Sequence, residues 1–296
     1  MEILVAKNAG FCFGVQKAVE EVGNQLHNPE NASVFTYGEI VHNEAVVEEF
    51  SARGVRVLES AEGVTALADE CRDMGKKPCV VVRAHGIGRE VSDALSASGL
   101  RVVDATCPFV KRIHNIVQTA GETGQPVIVA GDAAHPEVQG IVGWATGEVF
   151  VISSPEEAES FSAPLDREFT IVSQTTFQKQ KFEEIVEILI KKGYNIHVAD
   201  TICNATGVRQ AEAEKIAAEA DTMIVIGGAR SSNTRKLYEI SKKNCADTYL
   251  IQNAGDLKGV RLKDSAKVGI TAGASTPKKT IEEVLLYVRN GTGSDV

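Results

Sequence analysis

The sequence predicts an α/β fold of three small domains, each on a mostly parallel sheet, related by a pseudo-threefold axis into a trefoil around one central site. Three observations carry this expectation. Short β-branched runs alternate with amphipathic stretches along all 296 residues, the pattern of βα units. The pattern recurs about every 95 residues, measured on the cysteines discussed below. Aromatic residues make up only 5% of the chain, with one tryptophan, Trp144, which suits α/β layering better than an aromatic-rich β sandwich.

Each repeat opens on a strand, reaches a cysteine and enters a helix. The strands at 2–5, 101–104 and 195–198 lead to Cys12, Cys107 and Cys203, which are 95 and 96 residues apart. A second strand then runs into a polar turn at 40–44, 134–137 and 229–234. A third strand follows at 55–58, 149–152 and 248–251. The last strand of each repeat ends in another polar turn, at 82–86, 172–176 and 270–275. The expected domains are residues 1–100, 101–195 and 196–290, with the N-terminal strand able to pack with the third. Residues 291–296 read as a frayed tail.

Composition excludes several classes of function. A net charge of −9 and the lack of any Lys/Arg block argue against binding nucleic acid or an anionic membrane. No apolar run approaches the roughly 18 residues of a membrane span. The N-terminus reads as a strand with no features of a signal peptide, so a cytoplasmic protein is expected. In that reducing compartment the six cysteines serve as ligands, catalysts or core fillers in preference to disulfides.

Three cysteines in register at strand-to-helix junctions are hard to explain by packing. Cys71, Cys79 and Cys245 fall outside the register, Cys79 within the apolar strand at 79–82. A helix N-terminus beside each registered cysteine favours its thiolate. Three thiolates can hold zinc with an open position or an iron–sulfur cluster with one iron free of cysteine. With no Cys-x-x-Cys pair, and one thiolate from each of three equivalent domains, the cluster is the better match.

Polar side chains gather at the carboxyl ends of equivalent strands, the edge where open α/β sheets bind ligands. They are His42, His85 and His135, with Thr175 and Thr176 in the second repeat and Ser231, Ser232, Asn233 and Ser275 in the third. Turns that precede helices offer backbone N–H groups, and hydroxyl, amide and imidazole groups are donors, so the shared ligand is an anion such as phosphate. Glu137, two residues after His135, is the carboxylate placed to deliver protons. A zinc hydrolase of phosphorylated metabolites and a non-catalytic iron–sulfur sensor are competing readings of the same residues.

The segments that carry these groups also resemble a known family. Ala9-Gly10-Phe11-Cys12-Phe13-Gly14-Val15, Val41-His42-Asn43, Ala84-His85-Gly86, Asp104-Ala105-Thr106-Cys107-Pro108 and His135-Pro136-Glu137 match it. So do Gln174-Thr175-Thr176, Thr201-Ile202-Cys203-Asn204, Ser231-Ser232-Asn233 and Thr271-Ala272-Gly273-Ala274-Ser275. Together they resemble the 4-hydroxy-3-methylbut-2-enyl diphosphate reductase family, over essentially the whole chain. The chain ends soon after the last motif, so no fused RNA-binding module is expected.

The resemblance implies a 4Fe–4S cluster held by Cys12, Cys107 and Cys203, with one open iron that binds the substrate hydroxyl. It implies the last step of the methylerythritol phosphate route. There, two electrons and two protons remove that hydroxyl as water, giving isopentenyl and dimethylallyl diphosphate. Glu137 would be the proton source and Thr175 would position the hydroxyl. His42, His85, His135, Ser231, Ser232, Asn233 and Ser275 would bind the diphosphate. The implied electron donor is a reduced ferredoxin or flavodoxin, and a central site within one chain is compatible with a monomer.

Overall fold

The computed structural model describes residues 1–73, 75–260, 262 and 267–290. The expected tail at 291–296 lies outside the described residues. The strands are β1 (Glu2–Val5), β2 (Val34–Tyr37), β3 (Arg56–Leu58), β4 (Cys79–Val82), β5 (Arg101–Asp104) and β6 (Val127–Ala130). They continue with β7 (Val149–Ile152), β8 (Glu168–Ser173), β9 (Asn195–Val198), β10 (Thr222–Ile226), β11 (Thr248–Ile251) and β12 (Lys267–Ala272). The helices are α1 (Phe13–His27), α2 (Glu44–Ala52), α3 (Ala61–Glu70), α4 (Arg89–Ala97), α5 (Pro108–Glu122) and α6 (Pro136–Trp144). After them come α7 (Pro155–Ser160), α8 (Lys179–Lys191), α9 (Asn204–Glu219), α10 (Ser232–Asn244) and α11 (Lys278–Arg289).

The strands form three four-stranded sheets in which every pair is parallel. Taken from the strand that leads to a cysteine, their orders are β1-β12-β10-β11, β5-β4-β2-β3 and β9-β8-β6-β7. The three topologies are identical. In each, the strand before the cysteine lies at a sheet edge and pairs with the strand that closes a repeat. β5 pairs with β4 and β9 with β8, while β1 reaches across the sequence to β12.

The central strands read as unbroken apolar runs because helices cover both of their faces. In β6, Val127 and Val129 point toward α5 and α6, where they meet Ile113, Val117, Val138 and Ile141. Ile128 and Ala130, one residue out of phase, point toward α7 and α8 and meet Phe182, Ile185 and Leu189. β10 does the same, with Met223 and Val225 against α9 and α10 and with Ile224 and Ile226 against α11. Each fully buried Ile or Leu contributes on the order of 1.5–3 kcal/mol, so the central strands anchor the units and leave their carboxyl ends for chemistry.

The chain divides into two compact units. One holds Met1–Gln16, Val41–Glu49 and the chain from Asn204 on, and the other holds Lys17–Ile40 and Phe50–Cys203. Among the described residues no helix is long and apolar enough to cross a membrane.

Candidate active site

In the larger unit two cysteine loops are shaped by local sequence. Asp104 Oδ1 accepts from Thr106 N–H at 2.9 Å and Asp200 Oδ1 from Ile202 N–H at 3.2 Å, so each cysteine follows an Asx turn. Cys107 then caps α5, with Pro108 in its first turn, and Cys203 directly precedes α9. The Cys107 amide donates to Ala84 O at 3.0 Å and the Cys203 amide to Thr175 O at 3.0 Å. Both acceptors sit two residues beyond the end of the neighbouring strand.

The same unit contains a buried acid. Pro136 starts α6 and places Glu137 in its first turn, where the side chain is buried. Thr175 donates its amide to Glu137 Oε1 at 2.6 Å and its hydroxyl to Oε2 at 2.9 Å. Burial raises the Glu137 carboxyl, and these two hydrogen bonds offset only part of that, leaving it at about 7. Such a group holds a proton near neutrality and can release it.

His135 caps α6 with its own ring, because Nδ1 accepts from Glu137 N–H at 3.1 Å. That bond assigns the proton of the neutral ring to Nε2, which remains a donor. The His85 ring lies edge-on to it, with centroids 5.4 Å apart. Gln174 is a residue to which the sequence motif attached no role. It is buried, and its Oε1 lies 3.4 Å from Asp132 N–H, while its Nε2 has no partner among the described residues.

The smaller unit carries the third cysteine. The Cys12 amide donates to Ala274 O at 3.1 Å, again two residues beyond a strand end, and α1 begins at the next residue. Gly10 makes the approach possible with φ +94°, and a Cβ there would sit 3.0 Å from Ile281 Cδ1. Ser275 Oγ donates to His42 O at 3.1 Å, and a Cβ on Gly228 would lie 2.7 Å from that same carbonyl. His42 is followed by Asn43, whose Oδ1 accepts from Val46 N–H at 3.3 Å at the start of α2. The helix cap is therefore Asn43, unlike in the second repeat, where the histidine itself caps. Ser231 Oγ caps α10 through Thr234 N–H at 3.3 Å, and Ser232 is its first residue. Asn233 is buried and its Nδ2 has no partner among the described residues.

Cysteine burial separates two groups. Cys12, Cys107 and Cys203 are partly exposed, whereas Cys71, Cys79 and Cys245 are buried. Burial pushes the Cys79 thiol up to about 11, and Cys71 and Cys245 belong to apolar clusters. The latter three are core fillers.

A family model described as "LytB protein" matches residues 3–289. The chain belongs to the LytB protein family. Its LytB relatives include a protein of Caldanaerobacter subterraneus subsp. tengcongensis, 40% identical over 295 residues, which cover 100% of this chain and 99% of that one. Another, from Geobacter sulfurreducens, is 42% identical over 286 residues and 96% of each chain. Both bear the name 4-hydroxy-3-methylbut-2-enyl diphosphate reductase. A solved structure of (E)-4-hydroxy-3-methyl-but-2-enyl diphosphate reductase, "the terminal enzyme of the non-mevalonate pathway", is 36% identical with TM-score 0.68. It covers 98% of this chain and 100% of its own. The E-1-hydroxy-2-methyl-but-2-enyl-4-diphosphate reductase of Plasmodium falciparum is 27% identical with TM-score 0.84, covering 98% and 87%.

Proposed function

We propose that this LytB protein reduces (E)-4-hydroxy-3-methylbut-2-enyl diphosphate to isopentenyl and dimethylallyl diphosphate with the loss of water. The observation that carries the reading is a chain of contacts through Thr175. Its side chain and amide grip the carboxyl of Glu137, and its carbonyl accepts from the amide of Cys203. A protonated acid and a cysteine are thereby joined through one residue.

The donor set fits an iron–sulfur cluster. Cys12, Cys107 and Cys203 each lie at a helix start, partly exposed, with the amide tied to the equivalent carbonyl of its sheet. They would hold a 4Fe–4S cluster and leave one iron without a protein ligand. When bound, the cluster supplies one-electron reduction and a Lewis-acidic metal at the hydroxyl end of the substrate.

The rest of the work falls to the chain itself. His135 carries its ring proton on Nε2 and His85 stands edge-on beside it, while Asn233 keeps an unpaired amide donor in a dry setting, where a phosphate oxygen repays the unmet hydrogen bond. His42, Ser231, Ser232 and Ser275 complete the diphosphate donors. Gln174 Nε2 is a further donor beside Thr175. When Glu137 is protonated on Oε2 the 2.9 Å hydrogen bond reverses, so that Oε2–H donates to Thr175 Oγ1 and the Thr175 hydroxyl turns to the departing oxygen. Oε2 then gives its proton to Oγ1 as the hydroxyl proton of Thr175 moves to that oxygen. The substrate alcohol, two electrons and two protons become water and a five-carbon alkenyl diphosphate, so the reaction balances.

The test is anaerobic. Protein reconstituted with iron and sulfide sustains catalytic oxidation of reduced methyl viologen only when the substrate is added, and without it oxidation stops once the protein itself is reduced. A brown, fully loaded protein that leaves the viologen reduced overturns the substrate assignment.

A further inference from the structure

Helix α5 leaves Cys107 and carries Phe109, Arg112 and Ile116 at i, i+3 and i+7, on one face. Phe109, two residues from a proposed ligand, is 42% exposed. Beside this face runs an open groove of about 740 Å³, bordered by Pro108, Lys111, Arg112, Ile116, Gln125 and His197. Among the described residues no carboxylate lines the groove, although the chain carries a net charge of −9. Lys111 is paired with Asp104 at 2.6 Å, whereas Arg112 is exposed and has no ion-pair partner among the described residues.

We infer that this groove docks an acidic single-electron carrier protein, which hands electrons over beside Cys107. The inference rests on the reductive reading above, since that reaction consumes two electrons that no residue of the chain stores. Each visit oxidises the carrier by one electron and reduces the cluster by one, so a turnover takes two visits. Three features favour a carrier protein as the occupant. An exposed aromatic beside an unpaired arginine is the composition of a small interface centre. The unpaired Arg112, in a lining whose described residues include no acid, complements an acidic partner and speeds its encounter. The groove begins at Pro108, one peptide bond from Cys107, so a carrier seated there is next to a proposed ligand.

The test is the rate at which a reduced acidic ferredoxin bleaches the reconstituted protein in stopped flow, with no substrate present. Reduced methyl viologen, which needs no docking surface, is the control. Arg112→Glu should slow reduction by ferredoxin by about tenfold or more at low salt and flatten its salt dependence, with the viologen rate unchanged. Phe109→Ser should slow the ferredoxin reaction alone. Unchanged ferredoxin rates in both variants overturn the inference. Equal slowing with both reductants overturns it too, placing these residues in the stability of the cluster. Self-association of the wild type that Arg112→Glu abolishes, with ferredoxin reduction unaffected, assigns the groove to a second copy instead. Because no substrate enters the assay, a failure here is distinct from a failure of the proposed reaction.

Discussion

Thr175 holds both oxygens of the Glu137 carboxylate, its amide at 2.6 Å and its hydroxyl at 2.9 Å, and its carbonyl receives the amide of Cys203 at 3.0 Å. The arrangement aligns a buried acid with the loop of a proposed metal ligand, so disturbing either partner should affect turnover more than fold. Glu137→Gln keeps the size and most hydrogen bonds but has no acidic proton. Its turnover should fall by about 10²–10⁴, with cluster absorbance and substrate affinity retained. Near-normal turnover with reduced viologen would remove Glu137 as the acid.

The same carboxyl makes a statement about pH. Its value rises from 4.5 to about 7 on folding because of burial. Between those two values the unfolded chain has lost the proton and the native chain keeps it. This contribution to stability is therefore full below pH 4.5 and is lost as pH climbs to about 7, by roughly 3 kcal/mol in total. Glu137→Gln should be relatively more stable at pH 8 than at pH 4.5 by an amount of this order. Urea unfolding of both proteins at the two pH values measures it, and a constant difference would contradict the raised value. Turnover should decline above about pH 7 as Glu137 ionises.

Cysteine replacements should sort into two classes. Cys12→Ser, Cys107→Ser and Cys203→Ser should lose iron and the visible absorbance, because the oxygen is a poor substitute for a thiolate. Cys71→Ser should keep both at a cost in stability of about 1–3 kcal/mol from a buried hydroxyl. Iron assays on the four purified variants decide it, and full iron in Cys107→Ser would exclude that thiolate.

Legibility in the sequence followed the range of the interaction that decides each feature. Strands such as 101–104 and 195–198, and helix starts beside each cysteine, rest on local patterns and are found at β5, β9, α5 and α9. The parallel α/β class followed from apolar runs such as Val127–Ala130, which need cover on both faces. Sheet membership was less legible, because a period of about 95 residues does not say which neighbour an edge strand joins. β5, which opens the second sequence repeat, pairs with β4 through backbone bonds that leave no local trace. The pairing of β1 with β12, some 265 residues away, instead agrees with the expectation that the N-terminal strand can pack with the third repeat. At the site, Glu137 was visible as a residue type near His135, but its grip by Thr175 joins residues 38 apart. Gln174 and Asn43 have no role legible in the sequence, because an amide in a motif does not reveal whether it caps a helix or stays unpaired.

Packing within the larger unit yields a sharp test. A Cβ on Gly143 would lie 2.8 Å from Gly88 Cα, and the adjacent Trp144 Nε1 donates to Ile87 O at 2.7 Å. Gly143→Ala gains about 1 kcal/mol in helix propensity but forces backbone apart at a cost of about 1–3 kcal/mol. Net destabilisation is expected in urea unfolding, and a more stable variant would contradict the close approach of α4 and α6.

Asn233 separates stability from function. Its amide nitrogen is buried without a partner, so Asn233→Leu removes an unmet donor and should be neutral or stabilising. The same variant should raise the substrate KM by about tenfold or more, since it loses a phosphate donor. Unchanged KM would exclude Asn233 from the diphosphate site.

The most direct test of the central claim is to identify the product formed by the reconstituted protein with (E)-4-hydroxy-3-methylbut-2-enyl diphosphate and reduced viologen in deuterated water. The account expects five-carbon diphosphates that have lost the hydroxyl oxygen and gained one deuterium, with the diphosphate intact by phosphorus NMR. Release of phosphate or diphosphate, or a product that keeps its hydroxyl, would contradict a reductive dehydroxylase and favour hydrolysis.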